Sequence, residues 1–207
     1  MTSIKKIGIL GGTFNPVHYG HLIAAENVRE AFGLDRVLFM PSGVPPHKQE
    51  PTVEDAAHRF EMVRLAIGPN PFFEASRMEI DRPGFTYTVD TLGSLKATYG
   101  NDAELYFIIG ADVLPELTTW RNFTEVFGLC GFIAVLRHGY GRESFLQCIE
   151  GLKTLYRAEI HIAETPVIDI SSTDIRRRIK DCKSIKYLTP HDVEDYIYKN
   201  RLYINYI

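Results

Sequence analysis

The chain has little of what usually sorts a sequence quickly. Only three of its 207 residues are cysteines, Cys130, Cys148 and Cys182. Their number is odd and no two stand at metal-binding spacing, which reads as reduced thiols in a cytoplasmic protein. Met1-Thr2-Ser3-Ile4-Lys5-Lys6 offers no signal-peptide core. No apolar run approaches membrane-spanning length, so no membrane partner is expected. There is no repeat and no low-complexity segment. The net charge of −3 lacks the basic excess of a general nucleic-acid surface, so no nucleic-acid partner is expected. An anionic ligand would have to be drawn by local groups. What remains is a soluble globular composition, 45% hydrophobic and 24% charged. Its length suits one domain with a full core, residues 1–207.

The chain is organised around Gly11-Gly12-Thr13-Phe14-Asn15-Pro16-Val17-His18-Tyr19-Gly20-His21. The apolar run Ile7–Leu10 before it reads as a buried strand. Leu22, Ala25, Val28, Ala31 and Phe32 after it share one helical face. A glycine-rich strand-to-helix turn lies where ligands bind in open α/β sheets. Its unpaired N–H groups and the helix dipole favour an anion. It is neither a Walker loop, since no Gly-Lys-Ser/Thr follows, nor a G-x-G-x-x-G fingerprint. Its distinctive part is the pair His18 and His21, three residues apart and able to face the same way. Gly20 between them leaves room for a ligand near the backbone. Zinc fits this pair poorly: zinc-protease histidines stand at i and i+4 with a Glu between, and no third ligand is evident.

Further along, Arg36–Met40 reads as a second strand ending at Pro41, and the stiff loop Pro45-Pro46-His47-Lys48 follows. Lys48 is either a solvated lysine or a point charge for phosphate. Residues 56–67 read as a helix and 72–75 as a strand. Residues 78–84 read as irregular or an edge strand. The threonine-rich Phe85–Leu92 suggests a capped helix start. Glu104–Ile109 reads as a central parallel strand ending in Gly110-Ala111-Asp112. Asp112 there suits a helix cap or a ribose hydroxyl equally. Trp120, the only tryptophan, would ordinarily be core. Strand 132–136 ends at Arg137, a candidate phosphate contact; helix 144–156 and strand 159–163 follow. In Ile170-Ser171-Ser172-Thr173-Asp174-Ile175-Arg176, Ser171 and Asp174 fit a capping box, making a second helix N-terminus for phosphate. Arg176, one turn on, adds a guanidinium. Thr189-Pro190 reads as the N-cap and first residue of a last helix. Leu202-Tyr203-Ile204 shows no chemistry. Together these imply a doubly wound, Rossmann-like parallel sheet with helices on both faces and a small helical C-terminal part, roughly 165–207.

Gly-Gly-Thr-Phe-Asn-Pro-x-His-x-Gly-His closely resembles the signature of the nucleotidyltransferases related to class I aminoacyl-tRNA synthetases. Within them the chain is similar to the bacterial nicotinate-nucleotide adenylyltransferases. The likeness extends over Pro-His-Lys, Tyr-Thr-x-Asp-Thr-Leu, Gly-Ala-Asp and Ile-Ser-Ser-Thr-x-x-Arg, in the expected order. Position 15 is Asn, where many relatives carry Asp. The resemblance implies transfer of AMP from ATP to nicotinate mononucleotide with Mg²⁺ carried on ATP, and leaves a homo-oligomer open. It implies catalytic roles for His18, His21, Lys48 and Arg176. It implies ATP contacts at Gly11, Gly12, Thr13, Phe14, His18, His21, Gly110, Asp112 and Ile170, Ser171, Ser172, Thr173 and Arg176. For the mononucleotide it implies Asn15, Lys48, Thr88, Trp120, Arg121 and Arg137. Two other readings stand beside it: phosphopantetheine adenylyltransferase, with the same fold and donor, and a non-catalytic nucleotide-binding regulator.

Overall fold

The computed structural model describes residues 4–44, 54–136, 142–166 and 168–204. Among these residues six strands form one sheet: β1 (Lys5–Gly12), β2 (Arg36–Pro41), β3 (Phe73–Ala75), β4 (Ala103–Gly110), β5 (Gly131–Leu136) and β6 (Ile160–Glu164). The order is β3-β2-β1-β4-β5-β6 and every pairing is parallel. The chain winds outward from β1 to β3, returns to β4 beside β1, and winds outward again. The reversal between β1 and β4 opens a crevice at the carboxyl ends of the strands.

Among the described residues, seven α-helices cover the two faces: α1 (Tyr19–Phe32), α2 (Ala56–Ile67), α3 (Thr88–Tyr99), α4 (Phe123–Leu129), α5 (Arg142–Tyr156), α6 (Ser172–Lys180) and α7 (His191–Lys199). A 3₁₀ segment, Ala111–Thr119, follows β4 directly. Side chains alternate across the pleat. Leu105, Phe107 and Ile109 of β4 pack with Leu92 of α3, Phe127 of α4 and Ile149 of α5. Ile108 faces the other way, with Val28 of α1, Val63 of α2, Ile175 of α6 and Val193 of α7. Both faces of the central strands are therefore buried, as their unbroken apolar runs imply.

Residues 78–84 form turns and bends, the irregular one of the two courses expected for them. Two local expectations are corrected. The start of α3 has Tyr87 as N-cap with no side-chain cap bond, so its threonines do not cap it. The N-cap of α7 is Pro190, not Thr189. In both cases the hydroxyls have longer-range work. Thr91 donates to Glu79 Oε1 at 2.8 Å, and Thr189 donates to Val17 O at 2.8 Å.

Candidate active site

A cleft of about 440 Å³ opens at the ends of β1, β4 and β5. Its walls include Gly11, Gly12, Gly20 and His21 on one side and Thr88, Gly110, Asp112, Trp120 and Arg121 on the other. A volume of this order suits a small-molecule ligand.

The loop between β1 and α1 gives His21 its direction. The backbone N–H of His18, the N-cap of α1, donates to Nδ1 of His21 at 3.2 Å. Because Nδ1 accepts, a ring proton of His21 sits on Nε2, as a donor. The two imidazoles lie almost face to face, 3.7 Å between centroids and tilted by 32°. Phe14 meets His21 edge-on at 5.0 Å between centroids. His21 is thus held on two sides by rings and from below by a backbone N–H. His18 is buried and does not line the cleft. A Cβ on Gly20 would stand 3.0 Å from the His18 ring, so part of the room at Gly20 serves ring packing rather than a ligand.

The second motif closes onto this loop. Ser171 caps α6, its hydroxyl accepting from the N–H of Asp174 at 3.1 Å, and the Asp174 side chain pairs with Arg177. The Ser172 hydroxyl donates to Pro16 O at 2.7 Å. Arg176 Nη1 donates to Asn15 O at 2.8 Å, and its Nη2 reaches Thr173 Oγ1 at 3.4 Å. Thr189 takes the next carbonyl, Val17 O, and Tyr19 N–H donates to Leu188 O at 3.1 Å. Three consecutive carbonyls, 15 to 17, are therefore each held by a side chain from the last third of the chain.

Of the residues assigned roles by resemblance, the structure puts Gly11, Gly12, His21, Thr88, Gly110, Asp112, Trp120 and Arg121 on the cleft wall. Thr13, Phe14, Asn15, His18, Ile170, Ser171, Ser172, Thr173 and Arg176 are not among the residues that line it. The Asn15 side chain is buried, its Oδ1 accepting from Tyr203 OH at 3.0 Å and from Glu54 N at 3.2 Å. Lys48 and Arg137 lie outside the described residues.

On the opposite wall the Trp120 indole meets Phe107 edge-on at 5.8 Å, and the Arg121 guanidinium covers the Tyr87 ring at 4.5 Å. The Arg121–Tyr87 contact ties the turn after the 3₁₀ segment to the start of α3. Trp120 N–H donates to Leu117 O at 3.2 Å. Thr88 is the first residue of α3, where an N–H has no partner within its helix.

Sequence reasoning missed four residues. Glu79 lines the cleft and accepts from Thr91; burial pushes its carboxyl above the usual carboxylate range, against the Thr91 bond and the Arg82 charge. Tyr203, Thr189 and the buried Arg59 act through bonds to residues far away in sequence. Only Thr189 gave a local signal, and that signal was for a cap.

The cytidylyltransferase-like family matches residues 9–178. The protein named probable nicotinate-nucleotide adenylyltransferase of Moorella thermoacetica is 48% identical over 98% of this chain and 94% of its own length. The protein of the same name from Thermoanaerobacter sp. is 47% identical over 96% of this chain and 94% of its own length. Nicotinic acid mononucleotide adenylyltransferase of Plasmodium falciparum, solved with NaAD, superposes with a TM-score of 0.79 at 21% identity. That likeness covers 96% of this chain and 97% of that one, and it shows the shared fold. By fold, by motif order and by near full-length identity to these bacterial proteins, the chain belongs to the cytidylyltransferase-like family and, within it, to the nicotinate-nucleotide adenylyltransferases.

Proposed function

We propose that the protein transfers AMP from ATP to nicotinate mononucleotide, giving nicotinate adenine dinucleotide and pyrophosphate in NAD biosynthesis. The observation that carries this reading is the joining of the two motif loops, by Ser172 to Pro16 O and Arg176 to Asn15 O, with His21 of the first motif on the cleft wall. The mononucleotide phosphate is already a nucleophile at neutral pH. One of its oxygens attacks the α-phosphorus of ATP, the bond from that phosphorus to the bridging oxygen breaks, and pyrophosphate leaves with the electron pair. No protein nucleophile or general base is required. Catalysis then consists of holding two anions in line and stabilising charge on the α-phosphate and the leaving group.

In this reading His21 donates from Nε2 to a phosphate oxygen, while the His18 ring and its N–H set the orientation of His21. Arg176 adds positive charge behind the loop, and Lys48 and Arg137 are assigned to phosphate. Gly11, Gly12, Gly110 and Asp112 border the nucleotide. Thr88, Trp120 and Arg121 surround the pyridine ring. Trp120 N–H is committed to Leu117 O, so donors for the nicotinate carboxylate narrow to the Thr88 and Arg121 N–H groups. Mg²⁺ would accompany the triphosphate and would neutralise charge on its phosphates. Among the described cleft residues Glu79 is bonded to Thr91, so the exposed Asp112 is the carboxylate that would help hold the ion. No described helix is long and apolar enough to cross a membrane. We place the enzyme in the cytoplasm, in keeping with its free cysteines.

Pyrophosphate release with ATP and each acceptor in turn tests the reading. Nicotinate mononucleotide should react much faster than its amide, because a donor facing the amide NH₂ is left unsatisfied at a cost of about 1–3 kcal/mol. Equal rates would make the enzyme dual-specific. Turnover of phosphopantetheine alone, or of no acceptor, would overturn the assignment.

A further inference from the structure

Arg59 lies on α2, outside both motifs, and is only 2% exposed. Its guanidinium donates to four carbonyls: Glu54 O at 3.0 Å from Nε, Thr13 O at 2.8 Å from Nη1, and Ser42 O and Gly43 O at 2.7 and 3.3 Å from Nη2. Among the described residues no carboxylate forms an ion pair with it. A guanidinium keeps its charge in proteins, so the fold buries a full cation whose direct hydrogen bonds go to carbonyls. Burial lowers its pKa, opposed by the charges of Tyr203, Asp55 and Glu79. Packing alone would be served at lower cost by an apolar side chain of similar size. What an apolar side chain lacks is the rigid fork of donors, and here the fork spans three separate segments.

Two of those segments border the cleft. Thr13 follows cleft-lining Gly12 and begins the loop to His18; Ser42 itself lines the cleft. The sheet ties the two only as far as Ser42 N–H to Gly12 O, at 2.9 Å. One residue further on, at Thr13 and Gly43, the sheet bonds have ended and the Arg59 fork takes over. From the other side, Gly43 sits against Glu79, where a Cβ would be 2.2 Å from the Glu79 carbonyl oxygen. Resting on the adenylyltransferase reading, we infer that Arg59 is a positioning residue: its fork fixes the Thr13 loop against the Ser42–Gly43 turn, and so sets the in-line geometry of the two substrates.

The test is Arg59→Lys, which keeps the charge but replaces a fork by a single point. Misplacement of about 1 Å costs on the order of 10²-fold in rate. In the folded fraction at 25 °C, kcat should fall about 10–100-fold while the ATP Kd by calorimetry stays within threefold. Amide NMR shifts should move at residues 13–15 and 42–44 and hold along β1. A merely structural arginine would lower Tm and leave kcat per folded molecule unchanged. Arg59→Lys with kcat within twofold of wild type, a loss that only tracks the unfolded fraction, or unmoved shifts at those residues would overturn the inference. Should Arg59→Lys fail to fold, Gly43→Ala displaces the same turn from the Glu79 side and must give the same kcat loss. A wild-type chain that releases no pyrophosphate with any acceptor overturns the functional reading instead, and the amide shifts then judge the positioning by Arg59 alone.

Discussion

Thr189 separates two accounts of the C-terminal part, because they predict effects of opposite sign. As an N-cap it should accept Asp gladly, since Asp ranks above Thr at that position. In the structure its hydroxyl is a donor, 2.8 Å from Val17 O, and the residue is 2% exposed. A carboxylate cannot donate, and at this position it would face a carbonyl oxygen. Thr189→Val removes the donor at nearly constant volume and leaves Val17 O bare, at about 1–3 kcal/mol. At about 2–4 °C per kcal/mol for a chain of this size, Tm should drop by roughly 2–12 °C. Thr189→Ser keeps the donor and loses one methyl, about 0.8 kcal/mol, or roughly 2–3 °C. Thr189→Asp adds a buried, unpaired charge and should be the least stable of the three. Thermal melts of the four proteins give the order. An Asp variant melting at or above wild type would refute the account. Turnover should follow, because Val17 leads directly into the His18 N–H that orients His21; a several-fold lower kcat is expected for Thr189→Val.

His21→Ala removes a donor aimed at developing phosphate charge, and kcat at saturating ATP should fall about 10²–10³-fold. His18→Ala should also lower kcat far more than it raises the mononucleotide KM; near-normal turnover in either variant would sink the assignment. Arg176→Ala should weaken ATP more than the acceptor in calorimetric titrations, and an effect confined to the acceptor would place it at the wrong end of the site. Glu79 carries a raised folded pKa, so the folded state takes up this charge less readily than the unfolded state and stability is lost as pH rises from the unfolded toward the folded value. Tm of Glu79→Gln minus that of wild type should therefore grow with pH across that window; a flat difference would mean the carboxyl is not perturbed.

The sheet was legible because its signals are local. Apolar runs at 7–10, 104–109 and 132–136 and the spacing of Ala25, Val28, Val63 and Ile67 need only neighbours to be read, and these residues are buried as expected, except for the exposed Glu104 and the half-buried Tyr106. Ala31, assigned to the same helical face, is instead exposed near the end of α1. The histidine pair was legible as a string, but not the division of labour within it, since burial of one ring under Gly20 depends on how the loop packs. The hydroxyls of Thr91 and Thr189 were misread for a physical reason: a threonine near a helix start has the local composition of a cap whether it bonds there or to a carbonyl 172 residues away. Tyr203 and Arg59 carry no local signature at all, because their partners are brought to them only by the completed fold.

The loop from Thr13 to Val17 explains why so much of the chain converges on it. These residues belong neither to β1 nor to α1, so their carbonyls receive no ladder or helical bonds, yet the side chains of Phe14, Asn15 and Val17 are buried. Buried carbonyls must find donors elsewhere. Arg59 supplies Thr13 O, Arg176 supplies Asn15 O, Ser172 supplies Pro16 O and Thr189 supplies Val17 O. The donors come from α2, α6 and the residue before the N-cap of α7, so the loop is rigid only when all three are packed on the same face of the sheet. A loop held in that way can keep an imidazole N–H at a fixed point while charge shifts between phosphates, which is what electrostatic catalysis requires. The same arrangement makes stability and turnover hard to alter separately in this part of the molecule. A donor lost on α6 exposes the carbonyl of Asn15 or Pro16, in the loop that leads into the His18 N–H and so orients His21.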